Sequence, residues 1–291
     1  MRKYYYIVIL LWFSFTASAI GQTQQQNILH SGGKPFALVI GISKYNYLQS
    51  WNLNHPADEA KTMGEILVNQ GYDVRELTNE KATRNNILEE LDALCNRRDV
   101  NDLILVYLTG HGDSWLNMTS CCDSATFNNF YPKLNDCFID RPDKNDFLFF
   151  PTYQTEKTGF LSEAIGAYQI VNRMKRSPAH KKILIIDACY SNRLAPPAYI
   201  PVQAISPIIK EEGFFCLINL KDKVRDGLDS KIMFKGLQGL ADNNYSGNND
   251  GYVSAYELAI YMEAELREIH DNSDSMCHIL IGEGQIFISR Y

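Results

Sequence analysis

Three stretches of this chain predict an α/β protein with a mostly parallel central sheet flanked by helices. Residues 36–42, 102–108 and 183–186 are nearly unbroken apolar runs, lacking the alternation of a strand with one wet face, so each reads as a strand buried on both sides. Helical patterns separate them, and strand, helix, strand order favours right-handed crossovers between parallel strands. With 291 residues, 45% hydrophobic and 21% charged, the chain is long enough to bury one large core.

The elements follow in order. Met1-Arg2-Lys3, an apolar run over 4–15 and Thr16-Ala17-Ser18-Ala19 have the basic, hydrophobic, Ala-x-Ala order of a secretory signal. We expect cleavage after Ala19, hence a secreted or periplasmic protein with no membrane contact once residues 1–19 are gone. The apolar run is shorter than the roughly 20 residues of a spanning helix. Loss of Arg2 and Lys3 makes the formal charge of -6 more negative, which argues against nucleic acid as a partner. Residues 20–34 are a polar, Gln-rich lead-in, and 35–291 read as one domain.

Within that domain a strand at 36–42 runs into a turn at Ser43-Lys44-Tyr45-Asn46. Pro56 suits a first helical turn, Ala60, Met63 and Leu67 share a face, and Gly71 stops the helix. A short strand at 72–77 follows, then a helix capped by Thr83 and carrying Ile87, Leu91 and Leu94. After the 102–108 strand, residues 114–158 break the rhythm and read as an insertion, with a short strand near 146–150. A helix over 162–175, the strand through Ile186, an irregular Pro-rich stretch at 194–212, a strand at 214–220, a helix at 254–269 and an edge strand at 285–289 complete the chain.

Two strands end on chemistry. One runs into Thr109-Gly110-His111-Gly112, the other into Asp187-Ala188-Cys189-Tyr190. The carboxyl edge of an open α/β sheet is where ligands bind, and an imidazole beside a thiol takes its proton or pairs with the thiolate. The backbone N–H groups of Gly112 and Cys189 are candidate donors to an oxyanion. Taken alone, a cysteine after an apolar strand is as readily a small buried hydrophobe, and Gly-His-Gly a turn.

The seven cysteines leave six once Cys189 is set aside, an even number that suits disulfides in an oxidising compartment, with Cys121, Cys122 and Cys137 best placed to bridge locally. Their spacing fits no zinc pattern, so no metal site is assigned. Ser246, Asn248, Asp250, Gly251 and Glu257 stand at calcium-loop spacing, although Ser254-x-x-Glu257 is also a capping box and Asn249-Asp250-Gly251 a turn. Thiol and imidazole chemistry itself needs no cofactor; calcium is the one ion this spacing admits.

Four segments together resemble the caspase-like cysteine peptidases of the caspase and haemoglobinase fold, on their bacterial and metacaspase-like side. These are Ala37-Leu38-Val39-Ile40-Gly41-Ile42, Ala57-Asp58-Glu59-Ala60, Tyr107-Leu108-Thr109-Gly110-His111-Gly112 and Ile185-Ile186-Asp187-Ala188-Cys189-Tyr190-Ser191, in order across 36–268. The resemblance implies that His111 and Cys189 are the catalytic dyad. It also implies that Asp58 and Asp187 bind a basic side chain with Thr109 at the pocket wall, Glu59 being the alternative to Asp58. Asp187 stands where the caspase signature has Gln. The implied partner is a protein or peptide cleaved after Arg, with Lys second; a non-catalytic binding or assembly module is the rival.

Overall fold

The computed structural model describes residues 33–96, 98–114, 148–156, 163–190, 213–219, 228–243, 245–269, 278–281 and 286–291. The signal segment and its cleavage point, most of the 114–158 insertion with its three cysteines, and the Pro-rich stretch at 194–212 lie outside them.

Strands β1 (Pro35–Gly41), β2 (Asp73–Thr78), β3 (Leu103–Ser114), β6 (Lys181–Tyr190) and β7 (Phe214–Asn219) form a parallel sheet in the order β2-β1-β3-β6-β7. Strand β9 (His278–Ile281) closes the β7 edge and runs antiparallel to it. Two short antiparallel strands, β4 (Leu148–Phe150) and β5 (Ile165–Gly166), hang from the end of β3. The expected fold class is borne out.

Alternate residues of each strand enter different cores, which is why the runs show no polar period. Leu38, Ile40, Ile104, Val106, Leu108, Leu184 and Ile186 pack with Ile87, Leu91 and Leu94 of α2 (Arg84–Cys95) and Ile170, Val171 and Met174 of α3 (Ala167–Arg176). Ala37, Val39, Leu105, Tyr107, Ile183 and Ile185 pack with Ala60, Met63 and Leu67 of α1 (Pro56–Asn69). The same core takes Ile232 and Met233 of α4 (Leu228–Lys235), and Leu258, Met262 and Leu266 of α5 (Ala255–Ile269). Covering the central strands with helices on both faces removes their side chains from water, so continuous apolarity is the pattern selected there, while the edge strand β2 keeps polar, exposed residues.

Helix α1 starts where Pro56 supplies a preset φ, and the Ala57 N–H donates to the Ser43 hydroxyl at 2.8 Å. Gly41 lets this end approach β1: a Cβ there would lie 2.2 Å from the Pro56 carbonyl oxygen and 2.5 Å from Ala60 Cβ. Thr83 caps α2 as expected, accepting the Asn86 N–H at 3.2 Å.

The chain's end departs from expectation. The terminal strand β10 (Phe287–Arg290) pairs with β8 (Tyr252–Ser254) in a separate two-stranded sheet, because Ile286 and Ile288 are drawn into the α5-side core. The sheet edge it was expected to occupy belongs to β9.

Candidate active site

Strands β3 and β6 run past their neighbours. Strand β1 ends opposite Thr109, at Gly41, and the β6–β7 pairing ends at Ile186 with Ile218. Beyond those points β3 and β6 continue as a two-stranded projection in the register Thr109 with Asp187, Gly110 with Ala188, His111 with Cys189, and Gly112 with Tyr190. Sequence placed His111 and Cys189 just past the strand ends; both lie inside strands, because each ladder extends over the glycine and alanine before them. Adjacent strands are about 4.8 Å apart, so register alone sets the imidazole-bearing and thiol-bearing residues side by side.

The imidazole is held from above β1. His111 Nε2 lies 2.7 Å from the Trp51 carbonyl oxygen. A carbonyl only accepts, so Nε2 carries the proton and Nδ1 is the basic nitrogen of the neutral ring. The His111 backbone N–H donates to the Tyr45 hydroxyl at 3.0 Å, and the imidazole packs 5.3 Å from the Tyr45 ring and 5.7 Å from the Trp51 ring.

The loop that supplies these groups is pinned along its length. Asn79 Oδ1 accepts the Ser43 and Lys44 N–H groups, each at 3.0 Å. Asn52 Oδ1 accepts the Tyr45 N–H at 2.9 Å, and the Ser43 carbonyl accepts the Leu53 N–H at 2.8 Å. Sequence reading identified only a turn here, since a backbone carbonyl and a tyrosine hydroxyl carry no motif.

Two carboxylates lie on the α1 side of the sheet. Thr109 Oγ1 donates to Glu59 Oε2 at 2.8 Å, and both residues are buried. Asp58 is exposed, and the contact it shows is its backbone carbonyl accepting the Thr62 hydroxyl. Of the two adjacent acids, Glu59 therefore faces the sheet. The phase of Met63, Ile66 and Leu67 sets this, since residues three to four apart share a helix face and position 59 falls in that row. Asp187 is also buried; its Oδ2 accepts from the Tyr107 hydroxyl at 3.3 Å and from the Ser230 hydroxyl at 3.1 Å. Burial, then the charges of Asp187 and Glu59, push the Tyr107 hydroxyl well above its ordinary pKa. Both carboxylates thus act on one phenol and make a single acidic region under Thr109 and Asp187. Ser230, on α4, went unnoticed in the sequence because the stretch before it has no clear period.

The residues at calcium spacing serve the loop itself. Glu257 Oε2 accepts the Ser254 N–H and Ser254 Oγ accepts the Glu257 N–H, a closed capping box, while Asp250 accepts the Tyr252 N–H. The loop is organised around Asp242, which accepts the Gly251, Asn248 and Asp250 N–H groups and the Tyr291 hydroxyl. Burial opposes its ionisation, but the Gly251 N–H, the Tyr291 hydroxyl and the Asn249 and Asp250 N–H groups hold its carboxyl below the ordinary value. Among the described residues no three His, Cys, Asp or Glu side chains are grouped to hold a metal ion, and no helix is long and apolar enough to cross a membrane.

Cys95 and Cys216 are free and buried, so neither belongs to a disulfide; Cys121, Cys122 and Cys137, the cysteines expected to bridge locally, lie outside the described residues. Cys95 and Cys216 are core side chains on the α2 side, and burial pushes the Cys95 thiol up to about 12, with the Asp92 charge second.

The fold matches solved structures. One is the crystal structure of protein GSU0716 from Geobacter sulfurreducens, 14% identical, covering 86% of this chain and 94% of that one with a TM-score of 0.54, a likeness of fold alone. A search of curated protein sequences finds no match. A family model of the caspase domain matches residues 34–280, from the start of β1 into β9, so the chain belongs to the caspase-domain family of peptidases, Peptidase_C14.

Proposed function

We propose that this protein is an exported cysteine endopeptidase that cleaves peptide bonds after Arg, with Lys second. The observation that carries the reading is the pairing of His111 with Cys189 on adjacent strands, with Nε2 on the Trp51 carbonyl; the base of the reading is Nδ1. In this reading Nδ1 takes the Cys189 thiol proton and the thiolate attacks the peptide carbonyl. The imidazolium then returns its proton to the leaving amine. Water then hydrolyses the acyl-enzyme through the same imidazole. The Trp51 carbonyl accepts from Nε2–H in both ring states, so it supports the imidazolium that forms on the way.

The preference for a basic side chain is supported by two buried carboxylates, Glu59 and Asp187, held on one face by Thr109, Tyr107 and Ser230. A guanidinium between two carboxylates is held by charge-assisted hydrogen bonds that an acidic side chain cannot make. Export rests on the order of the first nineteen residues. The chemistry needs no cofactor, and calcium enters as an arm of the test.

The experiment is hydrolysis of fluorogenic peptides ending in Arg, Lys or Asp by the mature chain and by Cys189→Ala, with calcium or with chelator, under reducing conditions. Arg and Lys cleavage abolished in the variant is expected. Absence of turnover with every peptide, while the Cys189 thiol stays reactive, would replace this reading with that of a binding module.

A further inference from the structure

We propose that Tyr45 is the positioning residue of the catalytic histidine, clamping His111 by its backbone through the phenol oxygen and by its ring through aromatic contact. This rests on the proposed role of His111. Three features carry it. The Tyr45 hydroxyl accepts the His111 N–H at 3.0 Å at the point where β1 has ended, so the phenol oxygen replaces the ladder acceptor that β1 no longer supplies. The ring lies 5.3 Å from the imidazole, which packs against Tyr45 and Trp51 together, their own ring centroids being 6.4 Å apart. Tyr45 is itself fixed, being buried among Ile42, Leu108 and Ala188 with its N–H on Asn52 Oδ1.

The neighbouring glycine belongs to the same device. A Cβ on Gly110 would lie 3.1 Å from the Tyr45 hydroxyl oxygen and 3.3 Å from the Ile42 carbonyl oxygen, so the bare backbone is what lets the phenol reach the next N–H. Gly110 also has φ 151°, outside the range that side chains favour. Tyr45 therefore sets the height of His111 along β3, while Trp51 sets the ring's tautomer.

The test uses Tyr45→Phe, which keeps the ring and removes the oxygen, with two readouts. Hydrogen exchange at the His111 amide, followed in Cys189→Ala so that no turnover intervenes, is expected to quicken about tenfold as its acceptor goes. Turnover in the active chain is expected to fall roughly three- to tenfold in kcat with KM unchanged, the effect of one mispositioned hydrogen bond in the transition state. Asn52→Ala loosens the clamp from its other end without touching the phenol, and serves should Tyr45→Phe fold poorly; it is expected to lower kcat in the same direction. Unchanged amide exchange together with unchanged kcat would overturn the clamp. A wild-type chain without peptidase activity, yet with the His111 amide protected and released by Tyr45→Phe, would sink the peptidase reading and leave the clamp standing.

Discussion

Gly41→Ala puts one methyl group against the backbone of the first helix. The new Cβ would stand 2.2 Å from the Pro56 carbonyl oxygen and 2.5 Å from Ala60 Cβ. No rotamer relieves a collision with a carbonyl, so α1 must lift by roughly 1 Å to regain ordinary contact. Overpacking typically costs 1–3 kcal/mol, and a backbone clash in a filled core puts this change at about 3 kcal/mol. In a chain of this size that is a Tm lower by roughly 5 °C. The lift also carries Glu59 away from Thr109, stretching a 2.8 Å hydrogen bond past bonding distance. Urea unfolding followed by circular dichroism gives the first number, and KM for an Arg peptide the second. Gly64→Ala on the same helix is the control: its Cβ would meet Val39 Cγ2 at an ordinary 3.5 Å, so the gain in helix propensity, about 1 kcal/mol, is expected to stabilise. A Gly41→Ala protein within about 0.5 kcal/mol of wild type, the range of ordinary surface changes, would refute the packing argument.

Three further outcomes follow from the site and its supports. Glu59→Gln keeps the shape of the side chain and removes its charge, so KM for Arg and Lys peptides is expected to rise about tenfold with kcat little changed; equal KM values in variant and wild type would remove Glu59 from the pocket. Asp242→Asn is expected to cost about 1–3 kcal/mol at neutral pH by leaving loop N–H groups poorly matched. Because the folded carboxyl sits below its ordinary 3.8, its stabilisation is fully present above that value and lost as pH falls through the lower folded one, so the wild-type and variant unfolding curves should converge in acid; a gap independent of pH would contradict the assignment. Native thiol titration should leave Cys95 and Cys216 unreacted until denaturant is added, since both are buried and burial raises each thiol; prompt labelling of either would contradict the packing.

The parts legible in the sequence were those written in local patterns. Apolar runs gave β1, β3 and β6, Pro56 and Thr83 marked helix starts, and the residues after two strands marked the site. What stayed hidden depends on long-range geometry. Nothing in Trp51 announces that its carbonyl meets an imidazole sixty residues away, nor in Ser230 that it reaches Asp187. Which of Asp58 and Glu59 faces the sheet was present in the helical phase, while the resemblance named Asp58 with Glu59 as its alternative. The four residues of β9 are too few to outweigh the alternatives without β7 beside them.

The sheet divides the molecule's interior in two, and the division separates two properties. His111 hangs from Tyr45, which belongs to the core shared with α2 and α3; Glu59, and Asp187 with its Tyr107 and Ser230 donors, lie on the side of α1 and α4. In the proposed reading, the aromatic support of the imidazole and the substrate carboxylates are therefore drawn from opposite sides of the sheet, although His111 and Cys189 follow Thr109 and Asp187 by two residues on the same strands. Substitutions around Glu59 can alter the acidic region while Tyr45 and Trp51 still hold the imidazole.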